Sequence, residues 1–105
     1  MSIFIEIMKE ELERNISKQQ AFSEQLNVLP KGYLFILDRN GKKYVYRKYR
    51  DGNKIISSYI GLAGSKDHEF ALKQRNDYLM LEKGLKKLKK EEQKLRGAID
   101  KYERI

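Results

Sequence analysis

The chain has 105 residues, a net charge of +8 and no cysteine. This length allows one domain at most, and the lack of cysteine excludes a disulfide framework and a thiolate metal site. An apolar fraction of 40% argues against a wholly disordered chain.

The positive charge is concentrated in the middle of the chain. Residues 1–29 carry three basic and five acidic side chains (−2), residues 30–66 carry nine and two (+7), and residues 67–105 carry eleven and eight (+3). Concentrated positive charge is typical of a protein with a polyanionic partner. A solvated, lysine-rich surface would have the same composition, so charge alone leaves both interpretations open.

The amino-terminal stretch MSIFIEIMKEE lacks a basic leader, which predicts no signal peptide. No apolar run approaches the roughly 20 residues that a membrane-spanning helix needs. Together with the missing cysteines, these features predict a cytoplasmic protein without a membrane partner.

The segment from Ile3 to Leu26 is predicted to be helical. Its apolar residues recur at three- and four-residue steps, and the predicted core positions are Ile5, Met8, Leu12, Ile16 and Leu26, with Phe22 nearby. Pro30 ends this helix because proline disfavours helical backbone at the residue before it.

A three-stranded antiparallel meander is predicted next. The strands run from Tyr33 to Leu37, Lys43 to Arg50 and Lys54 to Ile60, and the turns are Asn40-Gly41 and Asp51-Gly52. The residues from Gly61 to Gly64 are predicted to form a loop.

Ser65 is the predicted N-cap of a helix that continues to the end of the chain. Its heptad pattern places Ala71, Tyr78, Leu85 and Ile99 at one core position and Leu81, Leu88, Leu95 and Tyr102 at the other, with Gln74 and Glu92 as polar interruptions. The first helix is the nearest partner. The second helix is expected to outlast it, leaving a distal seam for another chain and predicting a homodimer. The predicted coiled-coil interaction residues are Leu81, Leu85, Leu88, Leu95, Ile99 and Tyr102.

No catalytic constellation, metal cluster or cofactor motif is visible in the sequence. His68 is the only histidine and falls at a helix start. The run Gly61 to Lys66 ends in Gly-Ser-Lys and lacks the spacing of a phosphate-binding loop. We therefore expect a protein that is not an enzyme and uses no cofactor.

The second predicted strand, within KYVYRKYRDGNK, carries the pattern that favours nucleic-acid binding. Its candidate binding residues are Lys43, Tyr46, Arg47, Lys48 and Arg50. Basic side chains contact phosphates and base edges, and tyrosine can stack on bases. The same tyrosines would also serve as ordinary cross-strand pairs, with the lysines keeping the sheet soluble. The pattern leaves the free face of this strand undecided.

Two resemblances bear on function. The elements LPKG, a tyrosine-rich hairpin with YRDG, YIG and a Lys/Glu-rich helix make residues 25–100 similar to an uncharacterised family of small prokaryotic proteins, which implies no activity. Residues 39–75 also resemble the arm-type DNA-binding module of tyrosine recombinases, which lays a three-stranded sheet in the major groove. That resemblance implies contacts from Arg47, Lys48, Arg50 and Lys54. Strand three departs from it at Ile55–Ser58, where basic residues are expected.

The sequence thus predicts an α+β protein in a single domain: a long helical hairpin or coiled coil with a three-stranded antiparallel β-meander between its helices. Residues 1–29 form a helix, residues 30–64 a basic meander and residues 65–105 a long heptad helix. The predicted function is a non-enzymatic nucleic-acid-binding accessory protein. The alternative is a protein-interaction module acting through the coiled coil, such as a small phage or mobile-element inhibitor (anti-CRISPR-like) of a host nucleoprotein complex.

Overall fold

A computed structural model describes residues 2–104 of the chain. In chain order the elements are α1 (Ile3–Val28), β1 (Tyr33–Arg39), β2 (Lys42–Asp51), β3 (Lys54–Leu62) and α2 (Lys66–Glu103). The strands form one antiparallel sheet in the order β1-β2-β3. The predicted α+β class, with a meander between two long helices, is confirmed.

The chain divides into two compact units. The meander unit comprises Leu29–Leu79, and so contains the three strands and the first part of α2. The hairpin unit comprises α1 and the part of α2 from Met80 onward. Each unit is described by itself below.

Both turns of the meander contain a glycine with a positive φ, but the second turn differs from its predicted position. Asn40 and Gly41 have φ values of 52° and 81°, which is the pattern of a type I′ turn at the predicted position. The second turn is Gly52-Asn53, one residue later than expected, because Asp51 pairs with Lys54 in the sheet. Of the two residues in this turn, only Gly52 has a positive φ, 61°. A type II′ turn requires this at its first central residue.

Ser65 caps α2 as predicted. Its Oγ accepts a hydrogen bond from the backbone N–H of His68 at 3.2 Å, which satisfies one donor of the first helical turn. In return, His68 Nδ1 accepts a hydrogen bond from the backbone N–H of Gly64 at 3.0 Å. His68 therefore helps to fix the loop that enters α2.

In the hairpin unit, α1 and α2 pack antiparallel. Lys9 near the start of α1 lies 2.8 Å from Glu103 near the end of α2, measured from Nζ to Oε1. Farther along α1, Asn15 Nδ2 donates to the carbonyl oxygen of Leu88 at 2.9 Å. The first helix therefore reaches the C-terminal end of the second, which corrects the expectation that α2 outlasts α1 there.

The inward residues of α1 follow a strict heptad, which differs from the predicted core positions at Ile16. Ile16 is 41% exposed, whereas its neighbour Asn15 is only 5% exposed. The buried or half-buried positions are Ile5, Met8, Leu12, Asn15, Gln19, Phe22 and Leu26, with Ser23 beside them. Apolar character suggested Ile16, but the alternating three- and four-residue spacing puts Asn15 at the seam.

Asn15 belongs to a polar layer that crosses the hairpin. Gln19 Nε2 donates to Asn15 Oδ1 at 2.6 Å and to Glu92 Oε1 at 2.7 Å. Arg96 Nε also donates to Glu92, at 2.7 Å. Glu92 is the polar residue in the heptad of α2, and it occupies a half-buried core position. This is possible because hydrogen bonds satisfy its carboxylate. We call Asn15, Gln19 and Glu92 the polar layer.

Candidate nucleic-acid interface

The strand register gives the meander two chemically different faces. Side chains directly opposite each other on neighbouring strands share a face. The pairs Tyr33–Lys48, Phe35–Tyr46 and Tyr46–Tyr59 define one of them. This outer face consists of Tyr33, Phe35, Leu37 and Arg39 of β1, Lys42, Tyr44, Tyr46, Lys48 and Arg50 of β2, and Ile55, Ser57, Tyr59 and Leu62 of β3.

The opposite, inner face packs on the part of α2 that belongs to the meander unit. Val45 on this face is fully buried, and Ala71 of α2 is buried as well. Arg47 reaches α2, where its guanidinium donates to Gln74 Oε1 at 3.4 Å. Gly61 comes so close to α2 that a side-chain carbon there would lie 3.3 Å from Cβ of Asp67. The register and these contacts leave the outer face as the free face.

Five aromatic rings form a connected cluster on the outer face. The ring centroids of Tyr33 and Phe35 lie 6.4 Å apart, and those of Phe35 and Tyr46 lie 5.5 Å apart with nearly parallel planes. Tyr59 lies 5.4 Å from Tyr46 and 6.2 Å from Tyr44. The cluster therefore crosses all three strands. Such contacts between rings stabilise a sheet by a modest amount per pair, about 0.5–1.5 kcal/mol.

The strand residues of the outer face carry four basic side chains and no acidic one. Arg39 and Lys42 are paired across the first hairpin, and Lys48 and Arg50 follow at the other end of β2. Lys48 Nζ also lies 5.5 Å from the centroid of the Phe35 ring, a cation–π distance. The acidic residues of the strands, Asp38 and Asp51, are in register with the inner face. An anion approaching the outer face thus meets only positive charge from the strands.

Three of the six predicted nucleic-acid-binding residues lie on the outer face, and three do not. Tyr46, Lys48 and Arg50 are on the outer face, whereas Lys43, Arg47 and Lys54 are in register with the inner face. Arg47 is half-buried and engaged with α2. Successive side chains of a strand point to opposite faces of the sheet, so no single face can present all six residues.

The outer face contains further candidates that the sequence interpretation did not select. They are Tyr33, Phe35, Arg39, Lys42, Tyr44 and Tyr59. One signal could have found them: Val45 is the only aliphatic residue of β2, so its side should have been assigned to the core. The register set by the Asn40-Gly41 turn then puts the candidates of β1 and β2 on the opposite face, whereas Tyr59 on β3 depends on the second hairpin and its bulge.

The predicted coiled-coil residues serve the hairpin itself. Ile99 is buried, and Leu81, Leu85, Leu88 and Leu95 are half-buried. Tyr102 is 50% exposed. Because α1 runs beside the distal seam, that seam is not left open for another chain as expected. The homodimer stays a prediction.

Two side chains with displaced pKa values lie in the hairpin unit. The pKa of Glu92 is lowered by the hydrogen bond from Gln19 and then by that from Arg96. The pKa of Arg14 is raised by its hydrogen bond and charge interaction with Glu11. Both shifts therefore come from contacts within the helical pair.

Within residues 2–104, histidine and acidic side chains nowhere gather in a group that could hold a metal ion. Over the same residues, neither helix is long and apolar enough to cross a membrane.

Comparison with family models, curated proteins and solved structures found no match to this chain. Both resemblances drawn from its motifs therefore stay predictions.

Proposed function

We propose that the protein binds nucleic acid, without catalysing a reaction, through the outer face of the meander. One observation carries the proposal: the strand residues of this face combine five contacting aromatic rings with four basic side chains and include no acidic residue. Cations neutralise phosphates and release counterions, and aromatic rings contact bases. Tyr33 and Tyr59 are each more than half exposed, and solubility alone gives no reason to expose aromatic rings.

The meander unit also carries most of the positive charge. It holds eleven basic and five acidic side chains, a net charge of +6, while the rest of the chain has twelve and ten, a net charge of +2. Long-range attraction of a polyanion is therefore directed mainly to the unit that contains the aromatic cluster.

Titration across a salt series tests this proposal. With four phosphate contacts, log K should fall with log[salt] at a slope of about −3.6 for duplex DNA or about −2.8 for a single strand. The variant Arg39→Gln/Lys42→Gln/Arg50→Gln removes three outer-face cations. We expect it to reduce the magnitude of that slope by about 2 to 3.

A control variant of equal net charge is available in the hairpin unit. Lys83, Lys87 and Lys90 are exposed on α2, and their replacement by glutamine also removes three positive charges. We expect this control to change the slope by less than about 0.9, which is the contribution of one phosphate contact on duplex DNA. Equal flattening by both variants would contradict the assignment to the outer face.

The alternative, a protein-interaction module acting through the coiled coil, has weaker support because α1 covers the seam that it would use. A complete lack of binding to DNA and RNA at low salt would refute the nucleic-acid proposal and favour this alternative. Pull-down from nuclease-treated host lysate would then be the informative measurement.

A further inference from the structure

The rings of the outer face differ in how much of each is open to a ligand. Tyr33 on β1 is 53% exposed and Tyr59 on β3 is 55% exposed, whereas Phe35 and Tyr46 between them are half-buried. Phe35 and Tyr46 stack on each other with planes 20° apart. The two inner rings thus support the two outer ones, which keep most of their free surface at opposite edges of the sheet.

Exposed rings of this kind suit unpaired bases better than a duplex. In a duplex the faces of the bases are stacked on one another, and a sheet in the groove recognises their edges with long polar side chains such as Arg, Asn and Gln. The centre of the outer face offers rings instead. Bases of a single strand are free to stack on aromatic side chains.

The cations lie at the two ends of the ring cluster, where they could contact the phosphates of a bound nucleic-acid strand. Arg39, Lys42 and Tyr44 help to line an open concavity of about 440 Å³ at one end. Tyr33, Lys48 and Arg50 help to line a second one of about 260 Å³ at the other. Lys48 lies six residues after Lys42 in β2, which corresponds to roughly 20 Å of strand.

We propose that the outer face binds an unpaired stretch of RNA or DNA, with bases stacked on Tyr33 and Tyr59 and phosphates held by the cations at either end. This inference rests on the proposed nucleic-acid function and narrows its ligand to single strands. Stacking tolerates any base, so the site is expected to have little sequence preference.

Fluorescence anisotropy with four probes of about 12 nucleotides, within the usual range of single-strand sites, tests the inference. The probes are a mixed-sequence DNA strand, the same strand in RNA, the DNA as a blunt duplex, and an abasic sugar-phosphate strand. We expect both single strands to bind more tightly than the duplex and the abasic strand. The ratio of DNA to RNA affinity identifies the preferred sugar.

Two substitutions locate the stacking. Tyr33→Ala and Tyr59→Ala should each weaken single-strand binding by about 5- to 150-fold, while the salt slope stays unchanged because no cation is lost. Tyr59→Phe should keep the affinity. Tyr102→Ala is the matched control, since Tyr102 is exposed to a similar extent, 50%, but lies in the hairpin unit. It should have no effect.

The outcomes separate this inference from the proposed function. Equal affinity for the abasic strand, or duplex binding that is tighter and insensitive to both tyrosine changes, would overturn stacking while the proposed function stands. Absence of binding to all four probes at low salt would overturn both. Circular dichroism verifies that each variant is folded, and Tyr59→Leu, which keeps bulk without an aromatic face, should lose affinity as Tyr59→Ala does.

Discussion

Gly84 lies in the interior of α2, where glycine costs about 1 kcal/mol relative to alanine, and its neighbour on α1 explains it. A side-chain carbon at this position would lie 2.6 Å from Cε2 of Phe22. Glycine therefore makes room for the Phe22 ring in the helical hairpin. Gly97 in the same helix has open space around it, so packing explains the glycine at position 84 but not the one at position 97.

This difference predicts opposite effects of one substitution. Gly84→Ala should lower the free energy of unfolding by about 1 kcal/mol, because overpacking of about 1–3 kcal/mol exceeds the gain in helix propensity. Gly97→Ala should raise it by about 1 kcal/mol. Urea unfolding followed by circular dichroism measures both. Stabilisation by Gly84→Ala would show that Phe22 does not occupy the space beside it.

At the scale of the elements, the polar layer of the hairpin predicts a pH dependence. Because the pKa of Glu92 is lowered from its ordinary value of 4.5 by Gln19 and Arg96, the unfolded chain binds a proton there more readily than the folded one. The carboxylate therefore contributes stability above about pH 4.5, and this contribution is lost as the pH falls through the lowered value.

Urea unfolding at a series of pH values from neutral to strongly acidic checks this dependence. Glu92→Gln should be less stable than the native chain at neutral pH, and the difference should shrink as the pH falls below the ordinary value of a glutamate. Glu91→Gln is the control, since it removes one charge at the exposed neighbouring position. A difference that stays constant with pH would show that the Glu92 carboxylate is not stabilised by its partners.

The helices and strands are largely predictable from sequence. Hydrophobic periodicity distinguishes helix from strand, Asn40-Gly41 marks the first hairpin turn, and Ser65 marks the start of α2. The failures have specific causes. Hydrophobicity favours Ile16 over Asn15 at the seam, and the buried Asn15 is explained only by its hydrogen bonds to Leu88 on the other helix and to Gln19. The sequence does not locate the second turn to the residue, because Asp51-Gly52 and Gly52-Asn53 are both good turn dipeptides.

The candidate site was less predictable than the elements. The sequence shows that the second strand carries basic and aromatic residues, but three of the six predicted binding residues lie on the inner face. Tyr33, Phe35 and Tyr59 come from the flanking strands, and only the register brings them beside Tyr46. Register depends on turns and bulges, and one bulge lies between Val45 and Tyr46, so strand-by-strand inspection could not assemble the cluster.

At the scale of the whole molecule, changes in the hairpin unit are expected to alter stability without altering nucleic-acid binding. The outer face lies in the meander unit, and the contact between Gly84 and Phe22 lies in the hairpin unit. α2 is the one helix that contributes to both units. If it transmits no strain, Gly84→Ala should lower the free energy of unfolding and leave nucleic-acid affinity unchanged well below its melting temperature.

Tyr59→Ala should reduce the affinity, and it should also lower the free energy of unfolding by about 1–3 kcal/mol, because the Tyr59 ring contacts both Tyr44 and Tyr46. Thermal melts and anisotropy titrations on the same preparations measure both quantities. Saturating single strand should raise the melting temperature of the native chain and of Gly84→Ala, because a ligand that binds only the folded state stabilises it. Loss of affinity in folded Gly84→Ala would instead show that α2 couples the hairpin to the binding face.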